Sequence, residues 1–162
     1  MQPCTRGKIG SMNTMTRRQM LLMVPMCAAA SSALRAQQPV KIDVYRDPTC
    51  GCCVNWVAHL RKNGFAVHSA DVADIDAVKA KYNVPAALRS CHTAVVNGYV
   101  IEGHVPAADV KRLLTSRPAD VVGLAVPGMP VGSPGMEGAN PQAYQVLAFD
   151  KGGRSRIFAT YR

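Results

Sequence analysis

The sequence predicts a mixed α/β (α+β) domain. Three observations carry this. Strand-like and helix-like runs alternate from Val40 onward, an Asn97-Gly98 hairpin signal separates two apolar runs, and dense glycine and proline appear only after a third helix. Val40 to Arg46 has strand character. Cys53 to Asn63 has helical spacing, with Val54, Val57, Ala58 and Leu60 around Trp56, and Gly64 is a natural stop. Phe65 to Ala70 reads as a second strand. Asp74 to Tyr82 reads as a second helix capped by Asp74. Val84-Pro85 marks a break. Thr93 to Val96 is a third strand, Asn97-Gly98 a type I′ turn, and Tyr99 to Glu102 the fourth strand. Pro106 to Leu114 is a third helix, with Pro106 in its first turn. Residues 117–141 read as one long irregular loop, because eight of the fifteen residues from Pro127 to Pro141 are glycine or proline. Ala143 to Phe149 and Ser155 to Tyr161, joined by Lys151-Gly152-Gly153, read as a closing β-hairpin.

The resulting β-α-β-α-β-β-α order, a βαβ start followed by a hairpin and a helix, is the thioredoxin-like order. The Gly/Pro-rich loop and the C-terminal hairpin are additions to that core. No repeat and no domain boundary is visible inside 40–162.

The chain has 162 residues, 48% of them hydrophobic, and a formal charge of +9. Residues 1–36 hold five basic residues and no acid, whereas 37–162 hold fourteen basic and ten acidic. More than half of the excess charge therefore lies in the N-terminal segment. No basic stripe interleaved with aromatics follows it, which sets nucleic-acid binding aside. Residues 1–36 read as an export signal: Arg17-Arg18 is the charged region, Met20 to Ala30 the apolar stretch, and Ala33-Leu34-Arg35-Ala36 the small-residue approach to a cut. Cleavage after Ala36 is the expectation, with cleavage after Ala30 as its rival. The run from Thr16 to Leu21 fits a twin-arginine signal as well as an ordinary secretory one. The mature domain is then 37–162, periplasmic and without a membrane span.

Removing the leader removes Cys4 and Cys27. Cys50, Cys52, Cys53 and Cys91 remain. Cys50-Gly51-Cys52-Cys53 opens the first helix, where free backbone N–H groups and the positive end of the dipole favour thiolates. The spacing does not suit a structural zinc site, whose cysteines stand two to four residues apart. Neighbouring thiolates at a helix start can instead serve different ions, as in a small bridged copper cluster. Cys91-His92-Thr93 precedes the third strand, in the loop that faces the first helix in a thioredoxin-like fold. A cis-proline followed by Thr is usual there, and here His92 takes the proline's place. His104 ends the fourth strand, and Met129 and Met136 repeat one Pro-Gly-Met setting. Thiolate and thioether favour Cu(I), and imidazole also suits Cu(II). Each residue taken singly has a plainer reading: Cys91 as a buried small residue, His104 as a helix-entry hydrogen-bonder, the methionines as loop anchors. His59 reads as packing or surface, His68 as surface, and Trp56 as a cover over the site or part of the core.

Four runs, Asp47 to Cys53, Ser90 to Val96, Tyr99 to Pro106 and Pro127 to Met136, together resemble the CopG-type periplasmic copper-resistance proteins, long known as a domain of unknown function. The resemblance spans about 40–162. It implies a thioredoxin-like domain, several copper ions held by bridging cysteines, and a role in Cu(I)/Cu(II) interconversion. Carried over by motif, the ligands are Cys50, Cys52, Cys53, Cys91 and His104, with His92, Met129 and Met136 beside them.

Two further readings stay open. A metal-free thiol–disulfide oxidoreductase would use Cys50 and Cys53, whose spacing is formally Cys-x-x-Cys. An exported domain with two structural disulfides is the third, although a bridge between adjacent Cys52 and Cys53, or from Cys50 to Cys52, would be tight.

Overall fold

The computed structural model describes residues 38–162; the expected leader, 1–36, with both proposed cleavage sites, Cys4 and Cys27, lies outside them. Seven strands form one sheet: β1 (Lys41–Arg46), β2 (Ala66–Asp71), β3 (His92–Val96), β4 (Tyr99–Glu102), β5 (Gly123–Ala125), β6 (Tyr144–Phe149) and β7 (Ser155–Tyr161). Their order is β2-β1-β3-β4-β5-β6-β7. β1 runs parallel to β2 and β4 parallel to β5, and the other neighbours are antiparallel. The helices are α1 (Gly51–Lys62), α2 (Ile75–Lys81) and α3 (Ala107–Ser116), with a 3-10 turn at Ala86–Leu88. The predicted β-α-β-α-β-β-α order is present, and the mixed α/β class holds.

Period-two alternation decides which face each strand side chain takes. On one face Ile42, Val44, Ala94, Val96, Ile101, Leu124, Val146 and Ala148 pack with Trp56, Val57 and Leu60 of α1 and Val110 and Leu113 of α3. A second cluster of Val84, Leu88, Val100, Ala125 and Phe149 packs with Tyr82, Val122 and Leu147. Asp74 caps α2 as expected, accepting from Ala77 N at 2.9 Å. Asn97 and Gly98 take φ of 47° and 84°, the two positive values a type I′ turn needs. Pro106 stands just before α3 as its N-cap rather than inside its first turn.

The loop expectation is corrected as well. Residues 117–141 are not all loop: Gly123–Ala125 forms β5, paired to both β4 and β6. A Cβ on Gly123 would collide with the Val100 carbonyl and the Phe149 ring, so this buried strand needs its glycine. Through β5 the expected C-terminal hairpin joins the main sheet. Among the described residues, no helix is long and apolar enough to cross a membrane.

The topology gathers one end of the sheet. β1 ends at Arg46, opposite His92 at the start of β3, and β4 ends at Glu102 opposite Thr93. β5 is parallel to β4 and ends beside it. The segments leaving β1, β4 and β5, and the one entering β3, therefore meet. They carry Cys50–Cys53, His104, Met129, and Cys91-His92 respectively.

Candidate metal centre

Asp47 shapes the entry to α1. Its carboxylate accepts from Thr49 N at 2.7 Å, and its carbonyl accepts from Cys50 N at 3.1 Å. Cys50 is the N-cap residue, without a side-chain cap bond, so three cysteines crowd the first turn. Cys50 and Cys53 are joined as a disulfide, with Cα atoms 5.4 Å apart. Cys52 and Cys91 are free thiols. The Cys-x-x-Cys pair, one of several pairings open in the sequence, is thus the one that closes. Cys52 Sγ lies 3.4 Å from Cys50 Sγ and 3.9 Å from Cys91 Sγ. All four sulfurs lie within 4.8 Å of one another.

Cys91 belongs to a second group as well. Its Sγ lies 3.2 Å from His92 Nδ1 and 3.1 Å from His104 Nε2. Both imidazoles are fully buried, with ring centroids 5.1 Å apart. His104 Nδ1 is 2.8 Å from the Pro134 carbonyl, which can only accept, so Nδ1 carries the proton and the Nε2 lone pair faces Cys91. That is the arrangement of a metal-ligating histidine, whose other nitrogen is held by a carbonyl. Among the described residues, His92 Nε2 is buried without a hydrogen-bond partner, and the His92 and Trp56 ring centroids are 4.3 Å apart. A buried polar atom left unpaired costs about 1–3 kcal/mol. Nδ1 is the nitrogen that faces Cys91, so a ligand role falls to Nδ1 and leaves Nε2 against the core.

Burial keeps both imidazoles neutral. It holds His104 below the usual histidine range and His92 well below it, where His104 and Lys79 add to the effect. Burial, followed by the neighbouring Cys52, pushes the Cys91 thiol up to about 12. Without an ion, Cys91 therefore keeps its proton between two neutral rings.

The Gly/Pro-rich segment straps across these elements. Ser90 Oγ donates to the Gly128 carbonyl, Pro134 O receives His104, and Met129 Sδ lies 4.0 Å from Cys52 Sγ. Gly135 sits directly on α1: a Cβ there would lie 2.7 Å from Trp56 N and 3.0 Å from Cys52 O, and its φ is +87°. Met129 is 53% exposed. Met136 is half-buried and bonds through its backbone, to Ser133 O and Gly132 N, both at 2.8 Å. The repeated setting therefore yields two different positions, and of the two it is Met129 that reaches a cluster thiol.

His59 takes the packing role, its Nε2 accepting from Ala107 N at 3.1 Å at the start of α3. His68 is exposed beside Asp43. Trp56 is both cover and core, fully buried, with its indole donating to Val105 O at 2.9 Å.

Sequence reasoning missed the support beneath Cys91. Glu102 Oε1 accepts from Lys79 Nζ and from Ser90 N, each at 2.6 Å, and Thr93 Oγ1 donates to Oε2 at 2.7 Å. Lys79 and Glu102 are 2% and 0% exposed. Burial raises the Glu102 pKa, while Lys79, Thr93 and Ser90 oppose that shift. Residues on both sides of the Cys91-His92 pair are thus tied to one carboxylate. The available signal was Lys79 itself, four residues after Ile75 on the inner side of a short helix.

Thiol, thioether and imidazole in one half-buried group suit a soft ion, and Cys91 belongs to both sets of donors. A family described as a protein of unknown function, DUF411, matches residues 88–136. A solved structure of copper resistance protein CopG, form 2, is 50% identical, with a TM-score of 0.73, covering 76% of this chain and 99% of that one. Form 1 is 51% identical, with a TM-score of 0.72 and coverages of 76% and 98%. No curated protein sequence matches the chain.

Proposed function

This chain belongs to the CopG family of copper resistance proteins, and from that premise we propose that it is an exported, periplasmic copper-binding protein. In this reading the leader, 1–36, is removed, and the domain 37–162 holds more than one copper ion through Cys50, Cys52, Cys53, Cys91, His104 and His92. Met129 stands at the exposed rim, and Met136 serves the loop rather than the metal. Thiolates hold Cu(I), and the two neutral imidazoles make Cu(II) tolerable, so the site suits interconversion of the two states.

The observation that carries this reading is Cys91 Sγ, shared between a four-sulfur group and a two-imidazole group, with the His104 lone pair aimed at it. A single sulfur facing two donor sets is what a bridging ligand requires. The test is Cu(I) stoichiometry of the mature, fully reduced protein against Cys52→Ser. Wild type should take up several ions and the variant should lose most of them; full stoichiometry in the variant overturns the reading.

A second reading has its own supporting observation, the closed Cys50–Cys53 pair. A metal-free thiol–disulfide oxidoreductase would reduce protein disulfides and retain no copper. Disulfide reductase activity in copper-free protein, without Cu(I) uptake, would favour it.

A further inference from the structure

The four sulfurs are not equivalent in this structure. Cys50 and Cys53 are already joined, while Cys52 and Cys91 remain thiols within the same group. The joined pair spans the first turn of α1, so opening and closing it requires no movement of the sheet. The free pair is different. Cys91 Sγ is engaged by His92 Nδ1 and His104 Nε2, and Cys52 Sγ faces Met129 Sδ. Closing the Cys50–Cys53 bond therefore leaves a complete soft donor set of two sulfurs, two imidazoles and a thioether.

We infer that the Cys50–Cys53 dithiol is a built-in two-electron donor that reduces Cu(II) to Cu(I), and that Cys52, Cys91, His92 and His104 retain the product. The inference rests on the copper-binding reading above. Two Cu(II) ions each accept one electron and become Cu(I), the thiols of Cys50 and Cys53 form one S–S bond, and two protons leave to solvent. Resetting the pair takes two equivalents of an external thiol. The first attacks Cys50 Sγ, because Cys50 is half-buried whereas Cys53 is fully buried, and Cys53 leaves as the thiol. The second attacks the mixed disulfide and frees Cys50. The extra cysteine then has a purpose: Cys52 keeps a sulfur on the metal while its two neighbours are oxidised.

The test uses the whole mature protein, reduced, freed of reductant and kept anaerobic. Two equivalents of copper(II) sulfate are added. A Cu(I)-specific chromophoric chelator reads the copper, and alkylation with peptide mass mapping reads the thiols. About two Cu(I) per chain should appear, with two thiols lost, mapped to a Cys50–Cys53 bridge, and Cys52 and Cys91 still alkylatable after the copper is stripped. A bridge involving Cys52 or Cys91, or thiols intact after copper addition, overturns the inference. Cu(I) is also supplied directly to a parallel sample. Uptake there without reduction of Cu(II) sinks this inference alone, whereas no uptake sinks the copper-binding reading with it. In Cys50→Ser/Cys53→Ser, checked for folding by circular dichroism, Cu(I) formation from Cu(II) should fall at least tenfold; an unchanged yield would show that other residues supply the electrons.

Discussion

Replacing Glu102 by Gln tests whether the buried carboxylate holds up the metal centre. The change removes the charge opposite Lys79, whose Nζ lies 2.6 Å away and whose side chain is 2% exposed. Removing one member of a buried pair costs about 3–5 kcal/mol, because the other charge stays buried and unmatched. Glutamine keeps an acceptor for Lys79 and Ser90 but offers N–H₂ toward Thr93 Oγ1, which now donates to Glu102. The expected loss is therefore toward the lower end, about 3 kcal/mol, a large share of the roughly 5–15 kcal/mol that stabilises a typical domain. Urea unfolding followed by circular dichroism reads it, with the disulfide state held the same in every sample. The double variant Lys79→Met/Glu102→Gln removes the stranded charge and should recover at least about 1 kcal/mol, since contacting residues couple by about 0.5–3 kcal/mol. Cu(I) affinity measured at a urea-free, fully folded concentration should fall about tenfold in E102Q, in the range for supports behind metal ligands. A variant within about 1 kcal/mol of wild type, or a double variant no better than the single, would refute the argument.

Gly135→Ala should lose about 2–4 kcal/mol, combining a left-handed backbone penalty with overpacking against Trp56 N and Cys52 O, read as a lower urea midpoint. It should also loosen the strap and raise the accessibility of Cys52 to alkylation; a stability equal to wild type would show that the loop does not rest on α1. His59 supplies a pH test. Burial lowers its pKa, Lys62 adding to this and Glu137 opposing it. The unfolded chain therefore binds the proton first on acidification. Stability from this group is complete above about pH 6.5 and is lost as pH falls through the depressed native value. His59→Gln, which can still accept from Ala107 N, should show a shallower fall in stability between pH 7 and 5, and slopes identical to wild type would reject the assignment.

Much of the architecture could be read from residue order because the signals are local. Gly64 stops α1, Asp74 caps α2 and Asn97-Gly98 turns the hairpin through contacts within a few residues of themselves. β5 escaped because it is three residues long, begins with a glycine, and exists only through its partners on either side. The site divides the same way. The cysteine triplet, Cys91-His92 and His104 are recognisable as types of donor. Lys79 and Glu102 look like surface charges until α2 docks against the sheet and brings them together. The closure of Cys50 onto Cys53 could not be separated from its rivals, because three cysteines within four residues leave several pairings open. Met129 and Met136 share one local setting, and the turn between them, with Ser133 N bonded to Pro130 O, sends them to different places.

The strap across the site grips almost entirely with its backbone: the carbonyls of Gly128 and Pro134 and the bare α-carbon of Gly135. Such a grip is sensitive to the number of residues separating those points. The segment acts as a ruler laid between Ser90 and His104. One residue more or fewer would shift the Pro134 carbonyl that holds the proton on His104 Nδ1, and with it the electron pair offered to Cys91, while leaving every cysteine and histidine of the cluster in the sequence.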